Sequence, residues 1–198
     1  MPPDTLSGTI RDRLGSPPAP ERPERYGHLR QAVSFFLVVD REETRALLVK
    51  KKETPGYTWS GQVGMVGGMI EEGDPSDLDA AFREFEEEMK LDRASLEVLG
   101  DLGYFPSRIA NALLHVYVAR WNGEGTPVPD PREIDYLIEV PFSELARLHE
   151  ERGHAGVRPD PEGKGPHYPV QHPKKGPLII WGVTARTIHA LLERIREA

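Results

Sequence analysis

Between residues 67 and 91 the chain reads GGMIEEGDPSDLDAAFREFEEEMKL, which sets Glu84, Glu87 and Glu88 within about one helical turn. Side chains three and four apart on a helix face the same way. The spacing therefore gathers three carboxylates on one side. Like charges so placed repel and weaken a helix. They suit a hard divalent cation such as Mg²⁺, which takes oxygen ligands and keeps water or phosphate in the rest of its shell. Gly67 and Gly68 let the backbone approach an ion or a substrate where a Cβ would intrude. Arg83, beside Glu84, can fix a carboxylate through a bidentate pair. The competing reading is a solvated acidic face, the usual role of a charge run on a helix.

The surrounding pattern must position these residues. The run from Ala32 to Val39 is apolar and rich in β-branched and aromatic residues, as in a buried strand. Ala46–Val49 reads as a second strand, and the polar turn between them makes a hairpin. Lys50, Lys51 and Lys52 end that strand; Lys51 is a candidate for gripping phosphate. A loop over Glu53–Gly61 leads to a short strand over Gln62–Val66 and then to Gly67-Gly68. Asp74 or Ser76 can cap the next helix, with Pro75 near its first turn. Leu78, Ala81, Phe82, Phe85 and Met89 form its apolar stripe.

Further strands are expected over Leu96–Phe105, Ala112–Trp121, Tyr136–Val140 and Leu178–Trp181. A short helix is expected over Pro141–His149 and a longer one over Thr184–Glu197, whose inner face holds Ala185, Ile188, Leu191, Leu192 and Ile195. Glu150–Lys175 reads as a long loop. Residues 1–29 form a Pro-rich N-terminal extension, with a short helix within Asp4–Leu14 and an arm that could reach a second subunit, leaving a homodimer open. Order is expected from Arg30, with residues 30–198 as one domain. Strands on both sides of a central helix, closed by a C-terminal helix, predict an α/β layered domain with a mixed sheet.

Composition narrows the class. Of 198 residues, 38% are hydrophobic and 29% charged, as in a soluble globular protein. The net charge of −7 disfavours a nucleic-acid partner, which needs a basic face. Without cysteine there is no thiolate nucleophile or cysteine zinc site. No apolar run suits a membrane span and no apolar leader core is present, so the cytoplasm is the expected compartment.

The acidic stretch resembles a Nudix box, G-x5-E-x7-R-E-U-x-E-E-x-G-U, where U is bulky and apolar. Gly68 matches its first glycine, Arg83 to Glu88 match R-E-U-x-E-E, and Leu91 matches the closing apolar residue. Asp74 stands where the first Glu is expected, one extra residue precedes Arg83, and Lys90 replaces the last Gly. A longer box with Asp resembles the coenzyme A pyrophosphatase branch, whose preceding signature is close to LLTxRSxxLRxHxGQVxFPGG. Leu47–Lys51, Gly61-Gln62-Val63 and Gly67-Gly68 match parts of it. Trp181-Gly182-Val183-Thr184-Ala185 resembles the branch's W-G-x-T-A segment. Tyr57-Thr58-Trp59-Ser60 lacks the expected Arg-x-His, and Val66 replaces a proline.

The resemblance implies a Nudix-like α/β/α sandwich and hydrolysis of a nucleoside diphosphate linked to another group. It implies that Glu84, Glu87, Glu88 and the Gly68 carbonyl hold Mg²⁺ or Mn²⁺, that Arg83 fixes the carboxylates, and that Glu84 or Glu133 accepts the proton of the attacking water. Lys51, Gly67, Gly68 and Arg108 are candidate substrate contacts, and Trp59 is a candidate to stack on a base. Trp181 is expected in the core. Coenzyme A or acyl-coenzyme A is the favoured substrate. ADP-ribose, nucleotide sugars and dinucleotides are alternatives, as is a domain that binds a nucleotide without cleaving it.

Overall fold

A computed structural model describes residues 6–15, 21–107, 109–152 and 165–196. In chain order the elements are α1 (Leu6–Leu14), β1 (Arg30–Asp40), β2 (Thr44–Lys51), β3 (Val63–Gly64), β4 (Val66–Met69), α2 (Asp77–Met89), β5 (Leu96–Ser107), β6 (Ala112–Trp121), β7 (Ile134–Pro141), α3 (Phe142–Glu151), β8 (Tyr168–His172), β9 (Gly176–Ile180) and α4 (Gly182–Arg196).

Ala32 to Val39 of β1 are all buried, because both faces of the sheet are covered. Period-two alternation sends Val33, Phe35, Leu37 and Val39 to the side of α2. Ala32, Phe36 and Val38 go to the opposite side, where α1, α3 and α4 pack. The result is an α/β/α sandwich around a mixed sheet: β1 runs parallel to β6, and the other pairings are antiparallel.

The sheet forks beside the acidic helix. One edge of β1 is taken by β6 along Arg30–Val39. Its other edge pairs with β2 from Leu37 to Asp40 and with β4 from Ala32 to Phe35. On β2 the partner changes from β1 at Leu47 to β3 at Val49. The segment expected as one strand over 62–66 is thus divided at Met65, because its two parts pair with two diverging strands. Lys51 and Gly67-Gly68 lie where β1 and β2 part.

Helix α2 is framed by its ends. The Ser76 hydroxyl accepts the Asp79 N–H at 3.1 Å, while Asp74 accepts the Glu71 N–H at 2.8 Å instead of capping the helix. At the other end Lys90 adopts the left-handed conformation at φ 54° and donates its N–H to the Glu86 carbonyl. The helix stop that the family's glycine makes easily is therefore made here by a side-chain-bearing residue, which is strained in that conformation. The N-terminal turn is tied to the sheet through His115, buried at 5% exposure. Its ring nitrogens lie 2.8 Å from the carboxylates of Asp77 and Asp101.

Several expectations are revised. Packing begins before Arg30: Ile10 and Leu14, four apart on α1, are buried against the sheet, and Ser7 donates to Asp40 at 2.9 Å. Gly100 admits this helix, since a Cβ there would stand 2.3 Å from the Leu14 Cβ. The long loop over 150–175 contains β8, which forms a hairpin with β9. The hairpin is locked by His149, whose ring nitrogens lie 3.0 Å from the Tyr168 hydroxyl and 2.7 Å from Glu193. Trp181 is 42% exposed rather than core. Strand alternation puts Ile180 inside, so its successor faces out. Asp4, Arg108, Glu197 and parts of the expected arm and loop lie outside the described residues.

Two substitutions test this packing by urea unfolding. Ile10→Ala should cost about 2 kcal/mol or more, as for a buried aliphatic truncation. An Ile10→Ala protein as stable as wild type would detach α1 from the core. Lys90→Gly should raise stability by roughly 0.5–1 kcal/mol, because glycine adopts the left-handed cap without strain.

Candidate active site

Arg83 is the hub at which strand, loop and helix meet. Its Nε and Nη2 donate to the two oxygens of Asp74 at 2.9 and 3.0 Å. Nη2 also donates to the Met69 carbonyl at 3.1 Å, and Nη1 to Glu84 at 2.8 Å. The bidentate partner is therefore Asp74, with Glu84 held by a single bond. The shorter acid at position 74 reaches the guanidinium with both oxygens despite the extra loop residue. Hydrogen bonding to Arg83 holds the Asp74 carboxyl below its usual range, and Asp74 in turn raises the Arg83 pKa.

The three carboxylates do not share one environment. Glu88 is 1% exposed. One of its oxygens pairs with Lys51, and the other accepts the Gly67 N–H at 3.2 Å. Burial pushes its pKa up to about 7 against the pull of Lys51. Glu84 is 13% exposed at its side chain; burial raises its pKa, and Arg83 opposes the rise. Glu87 is 60% exposed at its side chain, 3.5 Å from Arg83. Glu84 and Glu88, four apart, share a face, while Glu87 is turned roughly 60–100° from them at 100° per residue. The expectation that all three point the same way holds for two.

The glycines act differently from each other. Gly67 has φ 151°, and a Cβ on it would meet the Val33 carbonyl oxygen at 2.2 Å. Gly68 is free of that constraint, but a Cβ there would meet Glu84 Oε1 at 2.5 Å. One glycine is thus required by the sheet and the other by the carboxylate.

The three lysines diverge. Lys50 donates to the Gly61 carbonyl, Lys52 to the Pro131 carbonyl at 2.9 Å, and Lys51 is committed to Glu88. Lys51 is 5% exposed and lines a narrow cleft with Ser34, Trp59, Gln62, Gly67 and Gly68. Glu133 is exposed in the turn before β7, and its charge contributes to raising both Glu84 and Glu88. Arg108 lies outside the described residues.

Tyr57 escaped the sequence reading. Burial, followed by the charges of Glu88, Glu133 and Glu84, pushes its phenol up to about 12. It therefore keeps its proton at neutral pH and faces the field of the acidic cluster. Its only sequence signal is an aromatic residue where the resemblance calls for a basic one. Its ring meets Trp59 edge-on at 5.8 Å.

Among the described residues no three acidic or histidine side chains are gathered as a ready-made metal cluster. Arg83 and Lys51 hold Glu84 and Glu88, and Glu87 stands in solvent. The donor chemistry nevertheless fits a hard divalent cation. The donors are oxygens, Glu88 is buried and Glu84 partly buried where ionisation calls for positive charge, and Gly68 leaves the space beside Glu84 free of a Cβ.

A forked mixed sheet between helical layers, with Gly-Gly, Arg-Glu and Glu-Glu converging at the fork, defines a Nudix-type architecture. A family model described as NUDIX domain matches residues 29–160, and the chain belongs to this family. Nudix hydrolase 15, mitochondrial, of Arabidopsis thaliana is 28% identical over 85% of this chain and 59% of its own length. The chain thus spans little more than half of that relative. An uncharacterised Nudix hydrolase NudL of Photorhabdus laumondii is 27% identical over 94% of this chain and 95% of its own length. The crystal structure of a MutT/nudix family protein from Enterococcus faecalis shares the fold with a TM-score of 0.56 at 15% identity, covering 92% of this chain and 66% of that one. No helix among the described residues is long and apolar enough to cross a membrane.

The glycine pair gives a paired test. Gly67→Ala should destabilise the fold by about 2 kcal/mol or more, because backbone cannot yield as a side chain can. Gly68→Ala should leave the melting temperature nearly unchanged but weaken Mn²⁺ binding roughly 10–100-fold, as displaced supporting groups do. Chemical denaturation and calorimetric Mn²⁺ titration check the two outcomes.

Proposed function

We propose that this protein is a divalent-metal-dependent hydrolase of the diphosphate linkage in nucleoside diphosphate derivatives, with coenzyme A or acyl-coenzyme A as favoured substrate. Family membership and the carboxylates at the fork support the chemistry. One observation carries the substrate reading. Gln62 and Val63 line the same cleft as Val183 and Thr184, beside Gly67 and Gly68. The two segments that resemble the coenzyme A branch, about 120 residues apart in sequence, thus meet where a diphosphate would lie.

Glu84, Glu87, Glu88 and the Gly68 carbonyl would hold Mg²⁺ or Mn²⁺. When bound, such a cation supplies Lewis acidity toward the diphosphate oxygens and acidifies the attacking water. Arg83, itself fixed by Asp74 and Met69, keeps Glu84 in place. Glu84 is the first candidate to take the water's proton, as the family resemblance implies. Glu133 is the alternative base, on the strength of its charge acting on the same cluster. Trp59 lines the cleft, and the Tyr57 ring packs edge-on against it. The cytoplasm is the proposed compartment.

The test is a panel of coenzyme A, acyl-coenzyme A, ADP-ribose, NADH, nucleotide sugars and diadenosine polyphosphates with Mg²⁺ or Mn²⁺. Coenzyme A should yield phosphopantetheine and adenosine 3′,5′-bisphosphate. Glu88→Gln should lower the rate on the order of 100-fold or more, the scale of several kcal/mol of transition-state stabilisation. Cleavage of ADP-ribose or a dinucleotide alone would transfer the reading to that substrate. Cleavage of no compound would leave the domain as a nucleotide binder.

A further inference from the structure

We infer that Lys51 is a displaceable resident cation: it neutralises Glu88 until a divalent ion enters, then gives up that carboxylate and moves into the adjoining cleft. The inference rests on the metal-dependent reading above.

Glu88 has no open side from which an ion can approach. Its residue exposure is 1%, one oxygen is held by Lys51, and the other accepts the Gly67 N–H at 3.2 Å. Gly67 is fixed by its pairing with Ser34 in the sheet, so its N–H cannot withdraw. A divalent ion that binds Glu88 must therefore take the place of the ammonium. An ammonium and a divalent ion held on one enclosed carboxylate repel each other, which favours exchange over sharing.

The other cation of the site is anchored in a way that Lys51 is not. Arg83 makes four hydrogen bonds, two of them to Asp74 and one to the Met69 carbonyl. Losing Glu84 would leave it three hydrogen bonds to two partners, Asp74 and Met69. Among the described residues, the Lys51 ammonium donates a hydrogen bond to Glu88 alone. A flexible four-carbon stem carries that charge, and it already lines the cleft formed with Ser34, Trp59, Gln62, Gly67 and Gly68. Displacement therefore costs Lys51 one partner and carries it into space it already borders, where a substrate's diphosphate would meet it. Ion entry would thus be coupled to readiness for an anion. By linkage, the anion would favour ion binding equally.

Lysine footprinting tests the exchange directly. The protein is acetylated briefly with an N-hydroxysuccinimide ester, with and without saturating Mg²⁺, and modification at Lys51 is quantified by mass spectrometry against exposed Lys174. Lys51 should be protected without Mg²⁺ and become at least about fivefold more reactive with it, a change in the range of ordinary site coupling. Mn²⁺ titration calorimetry on the same protein shows whether an ion binds at all. Ion binding with unchanged or reduced Lys51 labelling would overturn the exchange and leave the metal-dependent reading standing. Absence of ion binding would overturn both. Lys51→Arg supplies a second measurement. A guanidinium fork grips a carboxylate more firmly than an ammonium, so this variant should bind Mn²⁺ about tenfold more weakly. Equal or tighter binding by a folded Lys51→Arg protein would contradict the exchange.

Discussion

Glu88 is a charge taken out of water, and much of the site is the consequence of keeping it there. An unpaired buried carboxylate is costly enough that it takes up a proton instead. Lys51 and the Gly67 N–H meet that demand from two strands. Lys51 can reach it only because β2 has parted from β1 at that level. Gly67 can donate only because β4 follows β1 closely enough that a Cβ would strike the Val33 carbonyl. The fork in the sheet and the burial of Glu88 are two aspects of one arrangement.

The partly buried Glu84 is managed differently. Glu84 is held by Arg83, and Arg83 is held by Asp74 and the end of β4. This chain of contacts fixes the loop between β4 and α2 and orients the helix. The N-terminal turn of α2 receives further support from Asp77, His115 and Asp101, which join the helix to β5 and β6. The acidic helix is therefore restrained at both the carboxylate face and its first turn. A site that must hold like charges close together needs such restraint, since their repulsion would otherwise loosen it.

Much of this was legible in the residues. The β1 and β2 runs, the helix after Gly-Gly, the closing helix and the layered α/β class follow from apolar periodicity and turn residues. The spacing of Arg83, Glu84 and Glu88 pointed to the candidate site because it is local and covalently fixed. Other features were not legible. α1 looks like an appendage because its sequence is short and polar; only docking of Ile10 and Leu14 brings it into the core. The β8–β9 hairpin is hidden in a stretch rich in Pro, Gly and His. Trp181 looks like core by type, and the alternation after Ile180 turns it outward. Tyr57 carries no pattern that points to the carboxylates.

The sequence by itself determined the family, the order of the main elements and which acids stand three and four residues apart. These depend on short-range geometry, which a helix or strand imposes wherever it forms. The tertiary structure alone decided that Glu88 is buried and Glu87 exposed, that Asp74 takes the bidentate grip of Arg83, and that Lys51 pairs with an acid 37 positions away. Burial and ion pairing depend on what the rest of the chain places nearby, and no spacing within one segment contains that information.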